Sequence, residues 1–131
     1  MLDALLKRVE QNDIYLMGTC AGCVLLAKEI NDKEQKINLL NAMDMQVERN
    51  AFGRQKESFE KQLEIKGFST PFNAVFIRAP LIKKVWGTCN VLATLKQEIV
   101  MVRQGQFLAL SFHPELTNDL RIHRYFLEMI G

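Results

Sequence analysis

Two short runs in this sequence hold residues that could together hydrolyse an amide. Gly18-Thr19-Cys20-Ala21-Gly22 sets a cysteine among small neighbours, and His113-Pro114-Glu115 sets an imidazole two residues from a carboxylate. A thiol becomes a nucleophile when its pKa is lowered and its approach is open. Both follow from a seat at a helix start, where backbone N–H groups point outward. The N–H of Ala21 can then donate to an oxyanion forming beside Cys20, while Gly18 and Gly22 keep side chains out of the turn and away from a substrate. In extended chain, residues i and i+2 project to one side. Glu115 can therefore hold one ring nitrogen of His113, leaving the other to exchange a proton with Cys20. Each run has a plainer reading too: Cys20 as an ordinary buried cysteine, His113 as a loop histidine beside a helix-initiating acid. The presence of both runs, each at the end of an expected strand, favours the nucleophile and base.

The elements that must position these residues follow from hydrophobic periodicity. Leu2, Leu5, Leu6 and Val9 share one face of a short helix ending near Asn12-Asp13. Ile14 to Met17 is a continuous apolar run, expected as a strand covered on both faces and stopped by Gly18, with a second helix from about Ala21 to Glu29. Cys20 thus falls at a strand-to-helix elbow. Between Asn31 and Pro71, alternating segments such as Met43–Val47 and Phe59–Ile65 predict antiparallel strands and loops. Val75–Ile77, Val91–Ala93, Ile99–Val102 and Phe107–Phe112 predict further strands, the last stopping at His113. A closing helix, capped by Thr117 or Asn118, carries Ile122, Tyr125, Phe126, Met129 and Ile130 as one apolar stripe. Strand ends on one edge of an open α/β sheet are where such groups converge.

At 131 residues the chain is expected to form a single domain. A net charge of +2 is too small to create a phosphate-attracting field, so nucleic acid is not implied. No apolar stretch approaches the roughly 20 residues that cross a bilayer, and the N-terminus lacks a signal-peptide pattern, so no membrane is implied and the expected compartment is cytoplasmic. Three cysteines, Cys20, Cys23 and Cys89, argue against a secreted disulfide framework. Cys23 makes a Cys-x-x-Cys spacing, but Cys89 and the two histidines do not complete a zinc set, and a small buried residue on the first helical turn explains it better. No metal and no cofactor are expected, since no glycine-rich phosphate loop is present either. His123, between Arg121 and Arg124, is expected on a solvated basic face.

The two runs together resemble the class I glutamine amidotransferases, whose Cys-His-Glu triad hydrolyses glutamine to glutamate and ammonia. Val47-Glu48-Arg49-Asn50-Ala51-Phe52-Gly53-Arg54-Gln55, Phe76-Ile77-Arg78-Ala79-Pro80, Arg103-Gln104-Gly105-Gln106-Phe107 and Ser111 to Thr117 sharpen this to the glutaminase subunits of pyridoxal 5'-phosphate synthase. The resemblance runs from about Gly18 to the C-terminus. It implies a three-layer, flavodoxin-like α/β fold with a mixed sheet and flanking helices. It makes Cys20 the nucleophile, His113 the base and acid, and Glu115 its orienting partner. Arg49 and Arg78, with the backbone around Ile77, contact L-glutamine; a guanidinium fork suits a carboxylate, although either arginine could serve a surface ion pair. Ammonia then passes to a barrel-shaped synthase subunit, the partner. Such subunits also carry N-terminal strands and a Gly-Gly-Glu-Ser loop that this sequence lacks, so 1–131 is expected to be a partial glutaminase domain. That absence motivates the alternative, a non-catalytic homologue that docks to the synthase without turnover.

Overall fold

The computed structural model describes residues 2–31, 39–49 and 58–131. Helix α1 (Leu2–Glu10) leads into strand β1 (Leu16–Thr19), helix α2 (Ala21–Leu26) and strand β2 (Ala27–Asn31). Strands β3 (Met43–Glu48), β4 (Ser58–Leu63), β5 (Phe72–Ile77), β6 (Leu81–Val85), β7 (Asn90–Leu95), β8 (Glu98–Gln104) and β9 (Phe107–Leu110) follow. A single 3-10 turn (Pro114–Leu116) and helix α3 (Arg121–Ile130) close the chain.

The larger sheet runs β1-β9-β8-β6-β3-β2, with β7 also paired to β8, and β4-β5 form a separate antiparallel pair. β1 lies parallel to β9, from Leu16 opposite Phe107 to Thr19 opposite Leu110. β2 is parallel to β3, whereas β3-β6, β6-β8 and β8-β9 are antiparallel, so the sheet is mixed.

Period-2 alternation divides the core into two layers. Phe107 and Ala109 face the side of α1 and α2, packing with Val9, Cys23, Val24, Leu26, Met43, Met45 and Val47. Leu108 and Leu110 face the side of α3 and the β4-β5 pair, with Phe72, Phe76, Met101, Phe112 and Ile122. All four β9 residues are buried, which explains why this stretch reads as an unbroken apolar run. Phe112 packs against Phe72 and Phe76 with ring centroids 6.0 and 5.4 Å apart, and Phe59 stacks on Phe76 at 4.8 Å. Fully burying each such ring contributes roughly 1.5–3 kcal/mol, so the backbone entering His113 is firmly anchored.

Several expectations shift in detail. β1 begins at Leu16 and includes Gly18, instead of running from Ile14 and stopping there. α2 ends at Leu26 because Ala27–Asn31 pair with β3. α3 starts at Arg121 with Leu120 as its cap residue, and Thr117 and Asn118 lie before it. Among the described residues no helix is long and apolar enough to cross a membrane.

Candidate active site

Cys20 occupies the junction between β1 and α2. Its N–H donates to the carbonyl of Leu110 at 2.9 Å, extending the β1-β9 ladder, and its own carbonyl accepts from Cys23 N–H at 3.0 Å to start the helix. The chain turns so sharply here that Cys20 adopts φ 53° and ψ −110°, a left-handed conformation costing a non-glycine residue of order 1–3 kcal/mol. Such strain persists only where the surroundings over-determine it, and this bend aims the side chain out of the sheet end. Gly18 makes the bend possible. A Cβ there would lie 2.5 Å from the Gly22 carbonyl oxygen and 2.7 Å from Leu26 Cδ1. Gly22 differs from its expected role, because a Cβ there would meet nothing within 4 Å.

The Cys20 thiol lies 3.6 Å from the carbonyl of Ile77, at the end of β5. Two residues earlier on that strand, the carbonyl of Val75 accepts from the N–H of His113 at 2.8 Å. Carbonyls two apart on a strand point the same way and are spaced by roughly 7 Å. One edge of β5 therefore holds both the thiol and the backbone of the histidine. Parallel pairing of β1 with β9 does the same from the other side, because Cys20 follows Thr19 and His113 comes three residues after its partner Leu110.

His113 Nδ1 lies 2.7 Å from Glu115 Oε2. Glu115 reaches it from the 3-10 turn, with Pro114 as the first residue of that turn, and not from an extended segment as the spacing suggested. The pair forms all the same because one tight turn also brings i and i+2 together. Burial by itself would raise the Glu115 carboxyl. Its own backbone N–H, the hydrogen bond from His113 and the charges of His113 and His123 outweigh that and hold it below the usual carboxylate range.

The thiol itself departs from expectation. Burial pushes the Cys20 pKa above its ordinary value, the Ala21 N–H opposes this, and the negative charge of Glu115 adds to the rise. A helix of six residues supplies too little dipole to reverse the desolvation. Cys20 thus rests as a thiol beside the Ala21 amide and needs a base to become a nucleophile.

A cavity of about 410 Å³ opens in front of this sulfur, lined by Cys20, Ala21, Val24, Leu25, Arg49, Arg78 and Pro80. Arg49 follows β3 directly and Arg78 follows β5, so guanidinium groups from two strand ends meet the elbow of a third. Arg78 has φ 45°, a second non-glycine residue in left-handed geometry beside the same cavity. His113 and Glu115 stand outside this lining, at the neighbouring β9 end. Asn50 to Gln55 lie outside the described residues. Cys23 is fully buried in the core, and among the described residues no group of three or more His, Cys, Asp or Glu is placed to hold a metal ion. His123 is not on a solvated face as expected: it is only partly exposed, and its Nδ1 is buried without a hydrogen-bond partner.

A strained elbow cysteine, an amide beside its sulfur and a histidine–carboxylate pair thus lie at neighbouring strand ends. The model of the SNO glutamine amidotransferase family matches residues 1–131, and the chain belongs to that family. A pyridoxal 5'-phosphate synthase subunit PdxT of Methanosphaerula palustris is 53% identical over 116 residues, covering 88% of this chain and 58% of the relative. The subunit PdxT of Thermus thermophilus is 52% identical over 129 residues, covering 98% of this chain and 66% of the relative. A crystal structure of a glutamine amidotransferase superposes with a TM-score of 0.91 at 52% identity, covering 98% of this chain and 67% of that one. The mixed α/β fold is therefore that of a glutamine amidotransferase, and the chain spans 58 to 66% of the length of these two curated relatives.

Proposed function

We propose that this chain carries the glutamine-hydrolysing site of pyridoxal 5'-phosphate synthase, with Cys20, His113 and Glu115 as its triad. The carrying observation is the approach of Cys20, Ala21, Arg49 and Arg78 to one cavity, with the His113–Glu115 pair at the next strand end. The guanidinium groups of Arg49 and Arg78 take the α-carboxylate of L-glutamine, a planar fork matched to a carboxylate, and the backbone at Ile77 borders the substrate. His113 removes the thiol proton. The sulfur then attacks the carboxamide carbon, and the Ala21 N–H donates to the oxyanion. His113 returns the proton to the leaving nitrogen, ammonia departs, and a thioester to Cys20 remains. Water, deprotonated by His113, attacks that thioester, releasing glutamate and restoring the thiol. Glu115 fixes the tautomer of His113 throughout. A thiol whose pKa is raised fits this scheme, because attack must then be coupled to proton removal by a neighbour.

Ammonia passes to a synthase subunit of the same enzyme, the PdxT relatives being themselves named as subunits of pyridoxal 5'-phosphate synthase. A second reading is a homologue that docks to the synthase without turnover. Measuring ammonia release from glutamine with and without the synthase subunit separates the two. Turnover that vanishes in Cys20→Ala supports the glutaminase, and binding without turnover supports the docking homologue.

A further inference from the structure

A thiol carries one proton, and in this structure that proton is already committed. Cys20 Sγ donates to the carbonyl of Ile77 at 3.6 Å, a contact lengthened by the size of sulfur. A proton shared with Ile77 is not available to His113 at the same time. The contact borders the cavity, since Cys20 and Arg78, the residue after Ile77, both line it.

The acceptor is held from both directions along the chain. Before it, Ile77 pairs with Ser58 in the β4-β5 ladder, Phe76 is fully buried, and the Val75 carbonyl on the same edge accepts from His113 N–H at 2.8 Å. After it, Ala79 and Pro80 are buried. Proline fixes its own φ and keeps the residue before it extended. Between these anchors Arg78 takes φ 45°, a strained value that persists because its neighbours leave no alternative. The Ile77 carbonyl is thereby fixed in aim, whereas the thiol proton leaves it by a simple rotation about Cβ–Sγ.

Donor strength decides which group keeps that carbonyl. S–H is a weak donor, while glutamine brings the N–H groups of its carboxamide and a charged ammonium, and charge-assisted bonds are roughly twice as strong as neutral ones. A substrate seated against Arg49 and Arg78 therefore outcompetes the thiol for Ile77.

We propose that the Ile77 carbonyl is a latch on the nucleophile: in the empty site it holds the Cys20 proton away from His113, and an N–H of bound glutamine displaces the thiol, which then turns to the base. The sulfur is armed only when substrate is in place, which shields it from other electrophiles. This rests on the reading of Cys20 and His113 as nucleophile and base.

Ile77-Arg78 is the one Ile-Arg step in the sequence. Isotope labels on the carbonyl carbon of isoleucine and the backbone nitrogen of arginine therefore mark a single bonded pair, which solid-state NMR selects even in the complex with the synthase subunit. His113→Ala keeps bound glutamine unreacted, and His113→Ala combined with Cys20→Ala removes the thiol as well. Without glutamine, losing the thiol is expected to shift the Ile77 carbonyl signal upfield, the direction of a lost hydrogen bond. With saturating glutamine, the signal is expected to move downfield and to coincide in the two variants. Should His113→Ala fail to fold, His113→Asn takes its place. Coincident signals in the glutamine-free proteins would refute the latch, as would a difference between the variants that glutamine leaves intact; hydrolysis by the unsubstituted chain, lost in His113→Ala, keeps the triad standing in either case. If calorimetry detects no glutamine binding to the complex, the glutaminase reading itself fails and the latch with it.

Discussion

Gly18 and Gly22 flank the same cysteine, yet their surroundings predict opposite responses to a single added methyl group. A Cβ at Gly18 would sit 2.5 Å from the oxygen and 2.6 Å from the carbon of the Gly22 carbonyl. Both atoms belong to the backbone of α2, so no side-chain rotation relieves the clash. The oxygen contact alone falls 0.9 Å short of an ordinary 3.4 Å approach (3.4 minus 2.5), and α2 as a whole must move. It cannot do so freely, because Cys23, Val24 and Leu26 are packed in the core behind it. Overpacking of this kind costs about 3 kcal/mol, offset by roughly 1 kcal/mol from the reduced entropy of the unfolded chain. Gly18→Ala should therefore lose about 2 kcal/mol, which for a chain of this size lowers Tm by roughly 8 °C. Gly22→Ala meets open space inside a helix and should gain roughly 0.5–1 kcal/mol. Thermal unfolding followed by circular dichroism reads both. Equal midpoints for the two variants, or a larger loss at Gly22, would refute the account of the elbow.

Three further outcomes follow from the same structure. His113→Ala should reduce glutamine hydrolysis by about 10²- to 10⁴-fold, the range for loss of a positioned acid–base group, while Tm changes little; steady-state ammonia release and calorimetry check this. Burial raises the pKa of Cys23, and burial with the charge of Asp44 pushes Cys89 up to about 11, so the folded state retains protons that the unfolded chain releases near 8.5. Stability should accordingly fall as pH rises from about 8.5 to 11, and a Cys23→Ala, Cys89→Ala variant should flatten that slope in denaturant titrations. Arg121 joins Asp119, Thr70 and Pro71 and lies over the rings of Phe68 and Phe72, at 5.1 and 5.8 Å from their centroids. Arg121→Leu should speed amide hydrogen exchange around residues 66–72 more than in β8, and equal protection in both places would contradict that role.

Much of the fold was legible because its strands are apolar runs of ordinary length. Phe107 to Leu110 announced themselves as an unbroken apolar run, whereas of β5 only its apolar end, Val75–Ile77, was read as a strand and Phe72–Ala74 were missed. Strands β2 and β6 were missed because Lys28 and Glu29 in one, and Lys83 and Lys84 in the other, dilute the hydrophobic signal; their pairing with β3 is a tertiary fact. The frame of β1 was displaced by two residues for a similar reason. Ile14 and Tyr15 are as apolar as Leu16, and only the register with Phe107 sets where pairing begins. The start of α3 was misread because Thr117 spends its hydroxyl on the turn before it, while the Asp119 carboxylate accepts from the N–H of Arg121, the first residue of the helix.

At the candidate site, the small residues around Cys20 and the His-x-Glu spacing carried most of the signal. Two features were invisible. The rise in the Cys20 pKa depends on how deeply the folded elbow buries the sulfur, which no local pattern encodes. The burial of His123 Nδ1 depends on how α3 packs, which no local pattern encodes. The neighbouring arginines, read alone, suggested a solvated face, and nothing in the residue types signalled the buried nitrogen.

The most direct test of the whole account is peptide-mapping mass spectrometry after brief exposure of the chain to a glutamine-mimicking electrophile. A single adduct on Cys20, slowed by excess glutamine and by His113→Ala, is the predicted result. An adduct on Cys23 or Cys89 with Cys20 unmodified, or labelling indifferent to glutamine, would contradict it.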